Sequence, residues 1–288
     1  MIPKNDRQNY LLALVLLAAN LFIWNAILFW SASDNVELYF LDVGQGDGQL
    51  ISLPGDVQIL IDGGPGIKTL SEVNKALGPA DHYIDLVILS HPQLDHFGGL
   101  IDVFKNYSVG AFIFNGQNGK ALAYKDLIKA VEEIGASSVI LGEGDSIKYK
   151  DYVLEILAPS SEDLASKESN DGGLVIMFKA PNFKALYTAD IDSKLEKKLA
   201  GKYDLKADIL KVGHHGSKYS SSKEFLTAVS PKVAVVEVGK NNYGHPTKAA
   251  LNRLANISSM IFRTDQDKTI KIISDGENLK IFRPAPVD

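Results

Sequence analysis

Two hydrophobic patterns divide the chain. The first is an uncharged run over residues 10–30, broken by strong polar groups only at Asn20 and Asn25. A helix of about 20 apolar residues crosses a bilayer core. A soluble helix apolar on every face is uncommon. Tyr10 and Trp30 bracket the run as interfacial aromatics do. The pattern predicts a cytoplasmic tail over 1–9, a transmembrane anchor over 10–30 and a folded domain over 34–288. Lys4 and Arg7 precede the run, and Asp34 and Glu37 follow it. The positive-inside rule therefore places the N-terminus in the cytoplasm and the domain outside, on a single-pass cell-membrane protein. The alternative is a cleaved signal peptide, with Ser31-Ala32-Ser33 as the small residues a peptidase takes. Its apolar region would ordinarily be about 7–15 residues, shorter than this run.

The second pattern starts at Val36. Short β-type runs over 36–43, 49–53 and 57–61 come in quick succession, the last two joined by Pro54-Gly55-Asp56. A near-continuous apolar run over 84–89 reads as a buried central strand. Helical spacing follows over 98–107 and 121–134, then strands over 139–147 and 152–157, and a polar loop over 160–170. A strand pair over 174–179 and 185–188 opens the next stretch. Helices over 191–199, 223–229 and 248–255 alternate with strands over 207–212 and 233–238. Strands over 261–263, 269–273 and 279–282 close the chain. Two mixed sheets packed together with helices outside satisfy this α+β alternation.

Composition narrows the chemistry. The chain has 288 residues, a net charge of −5 and no cysteine. That excludes a disulfide scaffold, a Cys-based zinc finger, an iron–sulfur cluster and a thiol nucleophile. With 45% hydrophobic and 23% charged residues, wholesale disorder is excluded. The mild acidity argues against a general polyanion-coating protein but leaves room for a local basic groove. Lys194, Lys197, Lys198, Lys202 and Lys206, diluted by Glu196 and Asp204, read first as a solvated helix face.

Five of the six histidines lie in polar clusters directly after apolar runs: His91, His96, His214, His215 and His245. Side chains at strand ends project from a rigid scaffold into a shared mouth, which suits a metal site. The first cluster, Ser90-His91-Pro92-Gln93-Leu94-Asp95-His96-Phe97-Gly98-Gly99, supplies imidazole and carboxylate donors that Zn, Mn and Fe accept. Read alone, Asp95 is also a plausible helix cap, and Asp190 in Thr188-Ala189-Asp190 is better explained as one. Gly213-His214-His215-Gly216-Ser217 leaves its paired histidines little room for a packing role. Tyr243-Gly244-His245-Pro246-Thr247 is the fourth cluster. His82 follows no strand and reads as surface.

In this order, Asp62-Gly63-Gly64, His91 with Asp95-His96, Asp190 and His214 resemble the metallo-β-lactamase superfamily. The chain is most similar to the metallo-β-lactamase-like domain of the ComEC family of DNA-uptake competence proteins. The stretches that carry the likeness include Phe40-Leu41-Asp42-Val43-Gly44-Gln45-Gly46-Asp47, Asn170-Asp171-Gly172 and Lys211-Val212-Gly213-His214-His215-Gly216-Ser217. The resemblance implies a four-layer αββα metallo-β-lactamase sandwich behind one N-terminal transmembrane helix. It implies one or two divalent metal ions, Zn or Mn, at one edge of the sheets, held by His91, Asp95, His96, Asp190 and His214. Asp95, His215 and His245 are the candidate catalytic residues, with His214 or His245 as further metal donors. Asp62, Gln93, Asp47, Ser217 and Lys218 are expected behind the ligands or against substrate.

The chain departs from the family in three respects. Gln93 stands at the second His of His-x-His-x-Asp-His. No His occurs from 97 to 213, although Asn170-Asp171 falls there and offers oxygen. Both departures imply a harder site, with Mn as a real candidate. ComEC proteins carry many membrane helices, whereas this chain has one apolar run, so a separate multi-pass channel protein is an expected partner beside the membrane and single-stranded DNA. Three functions then compete. A membrane-anchored metal-dependent phosphodiesterase linked to DNA uptake or processing is favoured. A hydrolase of an ester, lactone or envelope substrate and a non-catalytic partner with a degenerate site are the rivals.

Overall fold

The computed structural model describes residues 4–31, 35–166 and 169–284. The N-terminal helix is Lys4–Ser31. Its stretch Arg7–Trp24 has the length and apolarity of a membrane span, and none of it is buried against the rest of the chain. The small-residue segment Ser31-Ala32-Ser33 lies, from Ala32 on, outside the described residues, as do Asp34 and the last four positions.

Six strands come first: β1 (Val36–Phe40), β2 (Gln49–Leu53), β3 (Val57–Ile61), β4 (Tyr83–Ile88), β5 (Ser108–Phe114) and β6 (Ser137–Ile140). Seven more form a second sheet: β7 (Ser146–Tyr149), β8 (Tyr152–Ala158), β9 (Val175–Lys179), β10 (Lys184–Tyr187), β11 (Ile209–Lys211), β12 (Val233–Val236) and β13 (Met260–Arg263). The chain then returns to the first sheet with β14 (Ile270–Ser274) and β15 (Leu279–Phe282), pairing β14 against β1. Each sheet is an antiparallel meander that changes to parallel pairing where helices make the crossovers: β3 to β6 in one, β10 to β13 in the other.

The strands are apolar on both faces because each sheet is covered on both. Phe40, Ile51, Ile59 and Ile61 of the first sheet meet Ile156, Ile176, Phe178 and Tyr187 of the second. The alternate residues Leu50, Leu60 and Val87 face the helices that carry Val73, Val103, Phe104 and Leu127. Leu186, Leu210 and Ala234 do the same against Leu195, Leu199, Phe225 and Leu254. Helix, sheet, sheet and helix thus make four layers, with each buried Leu, Ile or Phe worth about 1.5–3 kcal/mol relative to exposure. The Pro54-Gly55-Asp56 turn forms, with Gly55 and Asp56 both at positive φ, as a tight hairpin between twisted strands demands.

Four local expectations change. The run over 139–147 is two strands in different sheets, β6 and β7, because the turn around Gly142 and Gly144 carries the chain across. Asp145 pins that turn by accepting from the Gly142 N–H at 2.8 Å. The expected loop over 160–170 contains a one-turn helix, Ser161–Leu164, held by a reciprocal Ser160–Asp163 cap. The helix expected over 98–107 is two pieces, Leu94–Phe97 and Leu100–Asn106, so Asp95 and His96 sit on a helical turn. The helix Lys68–Leu77 and strand β5 complete the pattern where Gly63, Gly64, Gly66 and Gly110 interrupt the apolar periodicity.

Candidate metal centre

The parallel strands bring distant segments to one edge. β1, β3 and β4 run in the same direction, as do β10, β11 and β12, and their C-terminal ends open onto a common mouth. The segments after them carry Asp47, Asp62, His91 with Asp95-His96, Asp190, His214-His215 and Glu237. Four non-glycine residues there take left-handed backbone: Asp62, Ala189, His214 and His215, with φ of 57°, 45°, 51° and 51°. Such conformations are unfavourable and persist where surrounding structure enforces them. Two glycines allow the segments to touch. A Cβ at Gly46, whose φ is +155°, would lie 2.2 Å from the Asp95 carbonyl oxygen, and one at Gly99 would lie 2.1 Å from that of Gly63.

His96 is fully buried, and its Nδ1–H donates to Asp62 Oδ2 at 2.8 Å. Asp62 is itself fixed by the Ser90 N–H (2.7 Å) and Ser90 hydroxyl (2.6 Å). That aims His96 Nε2 at the centre, 3.4 Å from Asp190 Oδ2. His215 Nδ1–H donates to the Glu237 carbonyl at 2.9 Å, and its Nε2 lies 3.4 Å from Asp95 Oδ2 and 3.5 Å from Asp190 Oδ2. One donor atom from each of Asp95, His96, Asp190 and His215 lies within 4.8 Å of every other.

These spacings fit a cation. Ligands about 2.0–2.2 Å from a tetrahedral ion stand roughly 3.4 Å apart. Three nitrogens at the centre, His91 Nε2, His96 Nε2 and His215 Nε2, are buried without a hydrogen-bond partner, as is Asp190 Oδ1 on the side of Lys211. Buried polar atoms are ordinarily paired. Histidine ligands whose far nitrogen donates to a carboxylate or carbonyl are the usual arrangement around a bound metal.

Electrostatics agree. Burial pushes the Asp190 carboxyl up, but His215, His96 and Lys211 outweigh it and hold it well below the usual range. Asp95 is likewise held at about 2 against burial, by His215 and His96. Burial disfavours charge on His215, yet Asp190 and Asp47 raise it to about 10. His91, by contrast, is pushed down to about 3 by burial and by His96. The carboxylates demand positive charge, and a divalent cation would displace the imidazole protons that otherwise supply it.

The centre opens into a cleft of about 710 Å³, lined by Gln45, Gln93, Asn170, Asp171, Tyr219, Tyr243 and His245 beside the donors. Of the residues the motifs single out, the structure brings His91, Asp95, His96 and Asp190 together. His215 takes the place expected for His214. His214 stands at the rim, its side chain 31% exposed and 4.0 Å from Asp190 Oδ2. Turning through two consecutive left-handed residues points the second imidazole inward and the first outward. His245 is half-buried beside His214, with ring centroids 5.7 Å apart, and burial with His214 lowers its affinity for a proton. Gln93 Nε2 donates to Asn170, joining the two segments noted for departing from the family pattern. Asp62 lies behind His96. Asp47 is fully buried, ion-paired to Lys211 and 3.2 Å from His215 Nδ1, so it stands behind the ligands. Ser217 is buried and its hydroxyl accepts from the Tyr219 N–H; Lys218 is exposed, with Nζ 4.9 Å over the Tyr219 ring. His82 is exposed and takes no part.

Lys211 and Glu237 are not among the residues the motifs single out as candidates. Both are fully buried at the floor of the site. The signal for Lys211 is its place in Ile209-Leu210-Lys211-Val212: a lysine inside a buried strand must have a carboxylate partner.

The family model of the metallo-beta-lactamase superfamily matches residues 44–239. ComE operon protein 3 of Bacillus subtilis (strain 168) is 32% identical over 260 residues, covering 83% of this chain and 33% of that protein. Competence protein ComA of Neisseria gonorrhoeae is 32% identical over 228 residues, covering 78% and 30%. The chain thus spans about a third of the length of these curated relatives, and they bear out the ComEC-type resemblance read from the motifs. The metallo-beta-lactamase fold protein YhfI from Bacillus subtilis superposes with a TM-score of 0.56 at 11% identity, over 82% of this chain and 99% of that one. At that identity the likeness shows the fold alone.

Proposed function

The chain belongs to the metallo-β-lactamase superfamily, and from that premise we propose that it is a membrane-anchored, metal-dependent phosphodiesterase of ComEC type that acts on DNA. The observation that carries this reading is the pair of buried, unpartnered nitrogens on His96 and His215, both facing Asp190 Oδ2, with Asp95 closing the group. Asp95, His96, Asp190 and His215 would hold the metal. A bound divalent cation supplies Lewis acidity and lowers the pKa of water towards neutrality.

The chain's own residues do the rest. Asp62 and the Glu237 carbonyl hold His96 and His215 in one ring orientation and one tautomer. His214 and His245 line the mouth, where each can hydrogen-bond a substrate oxygen. Tyr219 and Tyr243, 64% and 75% exposed on the same rim, would offer aromatic faces to the bases that unpaired strands present. A second hollow of about 430 Å³ shares Gln93, Leu94 and Asp95 and extends to Gln117 and Lys120, giving room for an extended substrate. The apolar helix Lys4–Ser31 would anchor the domain outside the cytoplasm, beside a separate multi-pass protein that passes the DNA.

The test is degradation of a labelled single-stranded oligonucleotide by the full chain purified in detergent. Mn²⁺- or Zn²⁺-dependent cleavage that disappears in Asp190→Ala is the expected result. Cleavage of simple esters with intact DNA would favour an ester, lactone or envelope substrate. Failure to bind metal would favour a non-catalytic partner.

A further inference from the structure

We propose that this site holds one divalent cation, and that the Lys211 ammonium takes the electrostatic place of a second. The inference rests on the metal-hydrolase reading above. Lys211 ends strand β11 with its side chain only 1% exposed. Its Nζ pairs with Asp47, donates to the Ala189 carbonyl at 2.9 Å and stands 3.7 Å from Asp190 Oδ1. A buried ammonium is tolerated only when paired and hydrogen-bonded in this way. It is therefore a fixed part of the site.

Lys211 divides the two oxygens of Asp190. Oδ2 faces His96 and His215 at 3.4 and 3.5 Å, where the four-donor group lies. Oδ1 faces the ammonium. In two-metal sites the ions stand about 3.5–4 Å apart, with a shared ligand between them. A second ion on Asp190 Oδ1 would meet a positive charge that Asp47 holds in place.

Donors for a second ion are few but present, so the ammonium decides the count. Outside the first group, two imidazole nitrogens are buried without a partner: His91 Nε2, and His245 Nδ1 at the rim of the cleft beside His214. The Gln93 amide is turned to Asn170, and no His occurs from 97 to 213. The other close group among the described residues, Asp47, Asp62 and His96, shares His96 with the first. Its carboxylates are committed to Lys211 and to Ser90 and His96. The charge a second cation would supply to Asp190 comes instead from a side chain that cannot dissociate. Lys211 is a positioning residue here, because it sits behind Asp190 and touches no substrate.

The experiment is metal counting on the full chain in detergent, equilibrated with Mn²⁺ and freed of excess, by plasma mass spectrometry and electron paramagnetic resonance. One Mn²⁺ per chain with the spectrum of an isolated ion is expected. Two per chain with a spin-coupled spectrum would overturn the proposal and leave the hydrolase reading intact. No bound ion would overturn both. Gln93→His, which restores a donor but keeps the ammonium, should remain at one ion; a second ion there would show that donor shortage, not Lys211, sets the count. Lys211→Gln, if folded by circular dichroism, should take up a second ion, and staying at one would overturn the role given to Lys211. If that variant fails to fold, the counts on the unaltered chain and on Gln93→His still decide.

Discussion

The interior has two buried regions of opposite character a few residues apart along the same strands. Between the sheets, Phe40, Ile156, Phe178 and Ile209 pack with almost no polar atom among them. At the strand ends, Asp47, Asp62, His91, His96, Asp190, Lys211, His215 and Glu237 are equally hidden from water. The apolar region is stabilised by burial itself. The polar region is destabilised by burial wherever a charge lacks its complement, and it contains donor atoms facing one another without a bond. The sandwich supplies the rigidity, and the strand ends use it to hold an arrangement that would not form alone. Substitutions should therefore separate the two: apolar ones lower stability, and site ones lower metal binding and turnover.

Asp190→Ala makes the sharpest separation. Altering an outer partner of a metal ligand already lowers affinity or activity by about 10–100-fold, so removing Asp190 should lower turnover by more than about 100-fold. The far-ultraviolet circular dichroism should stay unchanged. Phe178→Ala is the converse: it should cost about 3–5 kcal/mol in a denaturant titration, while surviving folded protein keeps its metal stoichiometry. Asp62→Asn keeps the size of the side chain but weakens the His96 orientation. It should lower metal affinity by about 10–100-fold with little change in melting temperature of the metal-free protein. His215→Ala against His214→Ala sharpens the contrast within the site. The first should abolish metal retention in equilibrium dialysis, and the second should retain metal while turnover falls.

The smallest effect is in pH. Burial opposes charge on His215, but Asp190 and Asp47 raise it to about 10. A group raised on folding contributes stability that is full below its unfolded value, about 6.5, and is lost as pH rises through the folded value. The metal-free protein should thus lose stability from about pH 6.5 towards 10. Metal binding must displace that proton, so affinity rises over the same range. The melting-temperature gain from added Mn²⁺ should be larger at pH 8.5 than at pH 6.5; a gain that shrinks would show that the cation does not compete with the imidazole proton.

How much was legible follows the same division. Strands with continuous apolar runs, such as 57–61 and 233–238, show in the sequence because burial on both faces leaves few polar positions. The split of 139–147 between two sheets does not show, since β6 and β7 differ only in the direction a glycine turn takes. The donor-bearing segments are legible because histidines cluster after strands. Which member of His214-His215 points inward is not, because that depends on backbone dihedrals at positive φ. A lysine within the apolar run at Lys211 hints at a buried carboxylate, but only the fold shows that Asp47, more than 160 positions earlier, is its partner.

The most direct measurement is the anomalous scattering of Mn²⁺ in crystals of the metal-loaded chain. The expected result is a peak bonded to Asp95, His96, Asp190 and His215 at about 2.0–2.2 Å, with none between His91 and Asp190 Oδ1. Density at the surface, or none near Asp190, would show that these four side chains do not form a metal centre.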